Sequence, residues 1–453
     1  MKRLLFLLLL VALTPVRAAE RLNFVFILID DMGLTDAACY GSKFYETPQI
    51  DRLARDGVKF TAAYSACTVC SPTRAALLTG KYPARLHLTD WIPGHVNPKA
   101  KLRVPDWQMA LKAEWTTLPA LLHAAGYATA SIGKWHLGDA PPTAFGFDVN
   151  IAGTAKGQPP AYFAPYRIPT LPEGPDGEFL TDRLTAETER FIEQNKERPF
   201  FIYLPHFAVH TPIAGKKEVI AKYRAKRDES APQNNAVYAA LVESVDDSVG
   251  RIRAKLDELK IADRTVIVFT SDNGGLIGPT SNLGLRVGKG SAYEGGVRVP
   301  AIALVPGVTK AGTACATPVI THDWFSTILD LAGVASPAEA DGVSLAPLLR
   351  GGAIESRPLF WHYPHYHPGG ATPSSSVRDG DWKLLHFYED NRIELYDLAA
   401  DPAEQHDLAA TNPAKATELR AKLDAWRKAV DAQSPTPNPN YDPAKSAEPA
   451  PGK

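Results

Sequence analysis

Asn23-Phe24-Val25-Phe26-Ile27-Leu28-Ile29-Asp30-Asp31 is the stretch that decides the fold. From Phe24 to Ile29 no polar residue interrupts the run, and two carboxylates follow at once. A run this short and apolar on both faces reads as a strand inside a sheet covered on both sides. Three more runs repeat the pattern. Residues 127–132 lead into Gly133-Lys134-Trp135-His136, residues 200–204 into Pro205-His206 and on to His210, and residues 265–270 into Ser271-Asp272-Asn273-Gly274. Helical stretches separate them. Residues 47–57 start on a Thr cap with Pro48 in the first turn, place Ile50, Leu53 and Ala54 on one face and stop at Gly57. Residues 117–126 behave alike, and residues 235–259 carry Val237, Leu241, Val245, Val249 and Ile252 at helical spacing. The alternation predicts an α/β fold, a mostly parallel central sheet sandwiched by helices. In such sheets ligands gather beyond the carboxyl ends of the strands, so one rim would collect all four polar clusters.

The two ends read differently. Lys2-Arg3, an apolar run over 4–13 and Val16-Arg17-Ala18 make residues 1–19 a signal peptide, the run being too short to span a bilayer. An uncleaved anchor is the alternative. Export to the periplasm or the outside is therefore expected, with no stable membrane span. Residues 20–345 read as the catalytic α/β domain. Residues 346–431 read as a smaller C-terminal α+β subdomain, with strands of an antiparallel sheet over 378–385 and 394–398 and a covering helix over 417–430. Residues 432–453, rich in Pro, Ala, Asn and Ser, read as a disordered tail. Lys+Arg 49 against Asp+Glu 50 gives no overall basic field, which excludes nucleic acid as the main partner. Any anion selectivity must be local. Four cysteines do not make a disulfide-built scaffold, and no N-x-S/T sequon occurs.

One cysteine stands where a nucleophile would. In Cys70-Ser71-Pro72-Thr73-Arg74, Ser71 reads as a helix N-cap, Pro72 suits the first helical position and Gly80 is a natural stop. Backbone N–H groups there would face an anion beside Cys70. Cys67 and Cys70 also form a C-x-x-C, open to reading as a redox pair or half a zinc site, and a buried core thiol is a third possibility. Asp30, Asp31, Asp272 and Asn273 are oxygen donors from two strand ends, a set that suits calcium better than zinc. Taken singly, each is a common solvated strand end or turn. Lys134, His136, His210 and Lys289 supply cations and proton donors, although a Lys or His after a strand more often faces solvent. His206 reads as a neighbour of His210, and Glu294-Gly295-Gly296 as a structural turn.

The C-x-P-x-R motif with Leu78-Thr79-Gly80, the G-K-W-H-L-G block at Lys134, His210-Thr211-Pro212 and the G-K-G-S-A-Y-E-G-G block at Lys289 occur in family order. The chain thereby resembles the type I, formylglycine-dependent sulfatases of the alkaline phosphatase-like superfamily, and is similar to the arylsulfatase A and N-acetylgalactosamine-6-sulfatase groups. The likeness covers roughly residues 22–425, with Glu394-Leu395-Tyr396-Asp397-Leu398 and the D-P-x-E ending at Glu404. It implies that a maturating enzyme oxidises Cys70 to formylglycine, whose hydrate attacks sulfur. It also implies that Asp30, Asp31, Cys70, Asp272 and Asn273 hold Ca²⁺ or Mg²⁺. Lys134, Lys289 and His210 would contact the sulfate, with His210 or Lys289 protonating the leaving oxygen. His136 and Arg74 would orient the diol, His136 would also take its proton, and Asp272 would be the base for attack. The expected activity is hydrolysis of a sulfate ester on a small molecule or glycan, a sulfated sugar first. Residues 87–91, 162–166 and 361–367 offer aromatic rings for a sugar face or, equally, for core packing. The rivals are a phosphonate or phosphate monoester hydrolase of the same superfamily and an inactive, exported glycan-binding homologue.

Overall fold

The computed structural model describes residues 21–443, so the expected signal peptide lies outside the described residues. An eight-stranded sheet forms the centre, in the order Thr313–Cys315, Val58–Phe60, Ala301–Leu304, Thr265–Ser271, Asn23–Ile29, Phe200–Pro205, Ala128–Ile132, Val149–Ile151. All neighbours run parallel except where Ala301–Leu304 opposes both of its own. The mostly parallel sandwich expected from the four runs is the fold observed. Asn23–Ile29 lies between Phe200–Pro205 and Thr265–Ser271, with Ile29 level with Ser271 and Leu28 with Pro205.

That strand is buried throughout because alternate residues feed two cores. Val25, Ile27 and Ile29 meet Leu241, Val245 and Val249 of the Ala236–Glu258 helix on one face. Phe24, Phe26 and Leu28 meet Leu77, Leu78, Trp324 and Phe325 on the other. Each such side chain taken fully out of water stabilises by about 1.5–3 kcal/mol. Two helix starts are held by side-chain caps, whereas Thr47 makes no cap hydrogen bond. The Asn235 side chain accepts from the N–H groups of Val237 and Tyr238 at 3.1 and 3.2 Å, and that of Thr117 from Ala120 at 3.4 Å.

A second sheet of Leu359–Tyr363, Ser374–Asp379, Trp382–Phe387 and Ile393–Asp397 is antiparallel throughout, and the Pro413–Ala429 helix packs Leu419 and Leu423 into its core. That core also takes in Tyr64, Ala76 and Tyr82 from early in the chain. The tail departs from expectation. Thr436–Pro437 pairs with Leu102–Arg103, and the Asn438 side-chain amide donates to the carbonyls of Pro98 and Ala100 at 3.0 and 2.7 Å. Backbone pairing and this amide fix a segment whose composition alone suggests disorder; residues 444–453 lie outside the described residues. Among the described residues no helix is long and apolar enough to cross a membrane.

Candidate active site

The four strand ends meet as the parallel order requires. Asp30 and Asp31 follow Ile29, Lys134 and His136 follow Ile132, His210 lies beyond Pro205, and Asp272 and Asn273 follow Ser271. The turn after Ile132 needs its glycine. Gly133 has φ +129°, and a Cβ there would collide with the Pro205 carbonyl of the adjacent strand end. Asp31 and His136 themselves sit in the left-handed region, at φ 62° and 58°, which turns both side chains out of strand alternation.

Cys70 opens the fully buried Cys70–Thr79 helix. Val69, extended at φ −143° and ψ 165°, is the residue before it, so Ser71 is not the cap expected from sequence. Its hydroxyl instead accepts from the Ile92 N–H at 3.2 Å. All four cysteines are unpaired, which leaves no disulfide between Cys67 and Cys70. The two thiols, three residues apart, differ in acidity. Burial pushes Cys67 up to about 12. Burial would raise Cys70 too, but Lys134 and Lys289 outweigh it, with help from a His210 hydrogen bond, and hold it at about 6.

The charges around Cys70 interlock. The Lys134 ammonium donates to Asp30 Oδ2 at 2.6 Å, and Lys289 lies 2.8 and 2.9 Å from the two oxygens of Asp31. Arg74, wholly buried, gives Nε and one terminal nitrogen to Asp272 Oδ2 at 3.0 and 2.6 Å and its other to the Lys134 carbonyl at 3.0 Å. Its observed contacts therefore fix Asp272 and the Lys134 turn. Asn273 Nδ2 donates to Asp31 Oδ1 at 2.8 Å. One potential ligand atom each from Asp30, Asp31, Cys70 and His210 falls within 4.8 Å of the others. His210 thus joins three of the residues expected from sequence, while Asp272 and Asn273 bond directly to the same cluster.

The two histidines are set oppositely. His136 Nε2 is 2.5 Å from the Ile92 carbonyl, so that nitrogen carries the proton and the buried Nδ1, with no hydrogen-bond partner, has a free lone pair. Burial, then Lys134, keeps the ring neutral. His210 Nδ1 donates to the Thr211 carbonyl at 2.6 Å and Nε2 lies 3.7 Å from Asp31. Burial would lower its pKa, but Asp31 above all raises it, favouring the imidazolium. His206 is buried and bonded to Ser248 Oγ at 3.0 Å, as a structural neighbour.

A cleft of about 670 Å³ opens over this floor, its walls including Cys70, His136, His210, Lys289, Trp91 and His367. Most of the aromatic clusters singled out from sequence are core. Trp361 is 1% exposed with Nε1 on the Ser65 carbonyl, and the Tyr162 hydroxyl is spent on the Phe207 and His210 carbonyls. Only Trp91 and His367 of those clusters line the cleft. Sequence reasoning missed Asp36. Its buried carboxylate accepts from Tyr238 at 2.6 Å, Thr280 at 2.7 Å and the Gly33 N–H at 2.8 Å, bracing the turn that carries Asp31. Nothing in its local sequence signals that, since its partners lie up to 244 residues away. Lys156 on the cleft wall was also missed; the strand before it, Val149–Ile151, is too short to read.

Glu294 is structural, as expected for its turn. It is buried, accepts from Tyr64 at 2.8 Å and pairs with Lys383 at 2.9 Å, which also pairs with Glu404 at 2.9 Å. Arg298 lies 3.4 Å from Glu294, and the Glu294 N–H donates to Glu404 at 2.6 Å.

Known proteins match most of this chain. The sulfatase family model matches residues 22–334, and that of the N-sulphoglucosamine sulphohydrolase C-terminal region matches residues 287–430. A sulfatase of Formosa agariphila is 33% identical, covering 90% of this chain and 89% of its own. The N-acetylgalactosamine-6-sulfatase of Canis lupus familiaris is 34% identical over 80% of this chain and 72% of its own. The crystal structure of Ps i-CgsB in complex with k-i-k-neocarrahexaose superposes with TM-score 0.78 at 29% identity, covering 93% of this chain and 95% of that one. With the strand-end cluster on an alkaline phosphatase-like sheet, these matches establish that the chain belongs to the sulfatase family, the sulfuric ester hydrolases.

Proposed function

We propose that this sulfatase cleaves a sulfate ester on a carbohydrate, releasing the alcohol and inorganic sulfate, with Cys70 as the precursor of a formylglycine nucleophile. The observation that carries the reading is a single acidified thiol on the floor of a cleft, surrounded by three buried carboxylates and the cations that pair with them. The carbohydrate is supported by the similarity to an N-acetylgalactosamine-6-sulfatase and to a structure in complex with k-i-k-neocarrahexaose.

The donor set fits a hard divalent cation, Ca²⁺ or Mg²⁺. Asp30, Asp31, Asp272 and Asn273 offer only oxygens, and buried Asp30 Oδ1 and Asn273 Oδ1 have no hydrogen-bond partner. When bound, the cation would lend positive charge to the sulfate oxygens, and hydrated formylglycine would supply the attacking hydroxyl. The chain's own groups do the rest. Lys289 and His210, on the cleft wall, hold the sulfate, and Lys134 adds its charge from beneath, beside Asp30. His210 carries a proton at Nε2 for the leaving oxygen, because Asp31 favours the imidazolium. His136 presents an unprotonated Nδ1 able to take a proton. Arg74 holds Asp272, the base for attack, in one orientation through its paired contacts.

Residues 20–345 form the catalytic part on this reading and 346–431 the smaller C-terminal part. The N-terminal segment directs export to the periplasm or beyond, and a formylglycine-generating enzyme of the host is the maturation partner. Peptide mass spectrometry across Cys70, with rates on an aryl sulfate, an aryl phosphate and defined sulfated monosaccharides, tests the proposal. Conversion of the thiol to aldehyde with preference for sulfate is expected. An active enzyme with an intact thiol, or one that prefers phosphate, overturns it.

A further inference from the structure

The cleft carries a cation that the sulfate site does not use. Of its basic lining residues, burial keeps the His136 and His367 rings neutral, which leaves Lys156, Lys289 and His210 as cations, and among the described residues no carboxylate side chain lines it. Lys289, paired with Asp31, and His210 serve the sulfate site. Lys156 is exposed and forms no ion pair among the described residues.

Its place on the wall is nevertheless fixed. The His136 N–H donates to the Thr154 carbonyl at 3.0 Å, and the Lys156 N–H to Thr154 Oγ1 at 3.2 Å. Gly157 lies flat against the His136 ring, so close that a Cβ would come within 2.5 Å of Cε1, and Pro159 and Pro160 stiffen the exit. The same contacts that seat His136 therefore seat the backbone of Lys156. A cation held by its backbone, facing a cleft whose lining carries no carboxylate among the described residues, acts on whatever part of a bound molecule lies outside the sulfate site.

We propose that Lys156 is a specificity-determining residue that pairs with a second anionic group, a carboxylate or a further sulfate, on the non-reacting part of the substrate. This rests on the sulfatase reading above. Three substrates test it: a monosulfated neutral sugar, the same sugar with a second sulfate, and the same sugar linked to a uronate. The quantity read is the ratio of kcat/KM for each dianionic substrate to that for the neutral one. Lys156→Gln is expected to lower the ratio about tenfold, through KM, and Lys156→Arg to keep it. The wild-type preference should shrink between 50 and 200 mM salt by about twofold or more.

The arm that responds, carboxylate or sulfate, identifies the anion. A ratio unchanged by Lys156→Gln, or no wild-type preference for either dianion, overturns the proposal. Where turnover is absent, Kd ratios for the same sugars on Cys70→Ala protein read the same quantity. Failure of the sulfatase reading is separate: converted wild-type enzyme would then leave 4-nitrophenyl sulfate intact as well.

Discussion

Two buried charge clusters in this protein are built from the same materials and do different work. At the strand ends, Asp30, Asp31 and Asp272 face Lys134, Lys289 and Arg74. Behind them, where the second sheet meets the first, Glu294 and Glu404 share Lys383, with Arg298 and Tyr64 alongside. None of the second group lines the cleft over Cys70, whereas Lys289 of the first does. The first also keeps Asp30 Oδ1 and Asn273 Oδ1 without a hydrogen bond under that cleft, Asp30 Oδ1 lying 3.6 Å from the Arg74 guanidinium. What separates a site from a brace is thus unspent ligand capacity next to an opening; the number of buried charges does not.

The largest expected effect breaks the pair at its chemical centre. Cys70→Ala should lower kcat by about 10⁴-fold or more while leaving Tm nearly unchanged, as measured by sulfate release and thermal melting. Retained turnover would sink the assignment of the strand-end cluster as the site. Lys383→Met attacks the other cluster, leaving two buried carboxylates without their ammonium. A loss of about 3–5 kcal/mol in urea denaturation should follow, with kcat per folded molecule changed far less than in Cys70→Ala. Equal stability losses at both clusters would erase the distinction.

Metal removal sharpens the contrast. Dialysis against a chelator should abolish activity and cost about 3 kcal/mol of stability relative to protein held at a hundredfold excess over Kd, with Ca²⁺ or Mg²⁺ restoring both. Lys383→Met protein should show the same metal increment, read by melting with and without the ion. The smallest effect concerns pH in the C-terminal sheet. Burial holds His362 at about 3, whereas an unfolded imidazole takes its proton near 6.5. Its contribution is therefore complete above pH 6.5 and is lost as pH falls toward 3, about 2 kcal/mol between 6.5 and 5. His362→Gln should flatten urea-derived stability over that interval; an unaltered slope would show that the ring titrates normally.

Sequence made the centre of the fold legible because its strands are continuous apolar runs with covered faces. The edges were not legible: Val58–Phe60 and Thr313–Cys315 are three residues each, held by neighbours far off in sequence. Leu359–Tyr363 hid for another reason, since Trp361 and His362 invite reading as a ligand surface until Trp361 is found bonded to Ser65 inside the core. The site residues were legible as motifs after strands. Asp36, Lys156 and the bracing by Glu404 were not, because a tertiary contact leaves no local period or cap to read. The helix at Cys70 begins two residues earlier than its Ser-Pro punctuation suggests, Val69 being extended and Ser71 engaged with Ile92.

The short pairing of Thr436–Pro437 with Leu102–Arg103 sets a clock. Asn438 bonds to Pro98, 340 residues earlier, in the segment that follows Trp91, Ile92 and Pro93 of the cleft wall. At the pace of protein synthesis, on the order of 5–20 residues per second, roughly 17–68 s separate the making of Pro98 from that of Asn438. For that interval a nascent chain lacks the pairing that Thr436–Pro437 gives residues 102–103. A slower or faster ribosome would therefore change how long residues 98–103 wait for those partners, with no change in the finished fold.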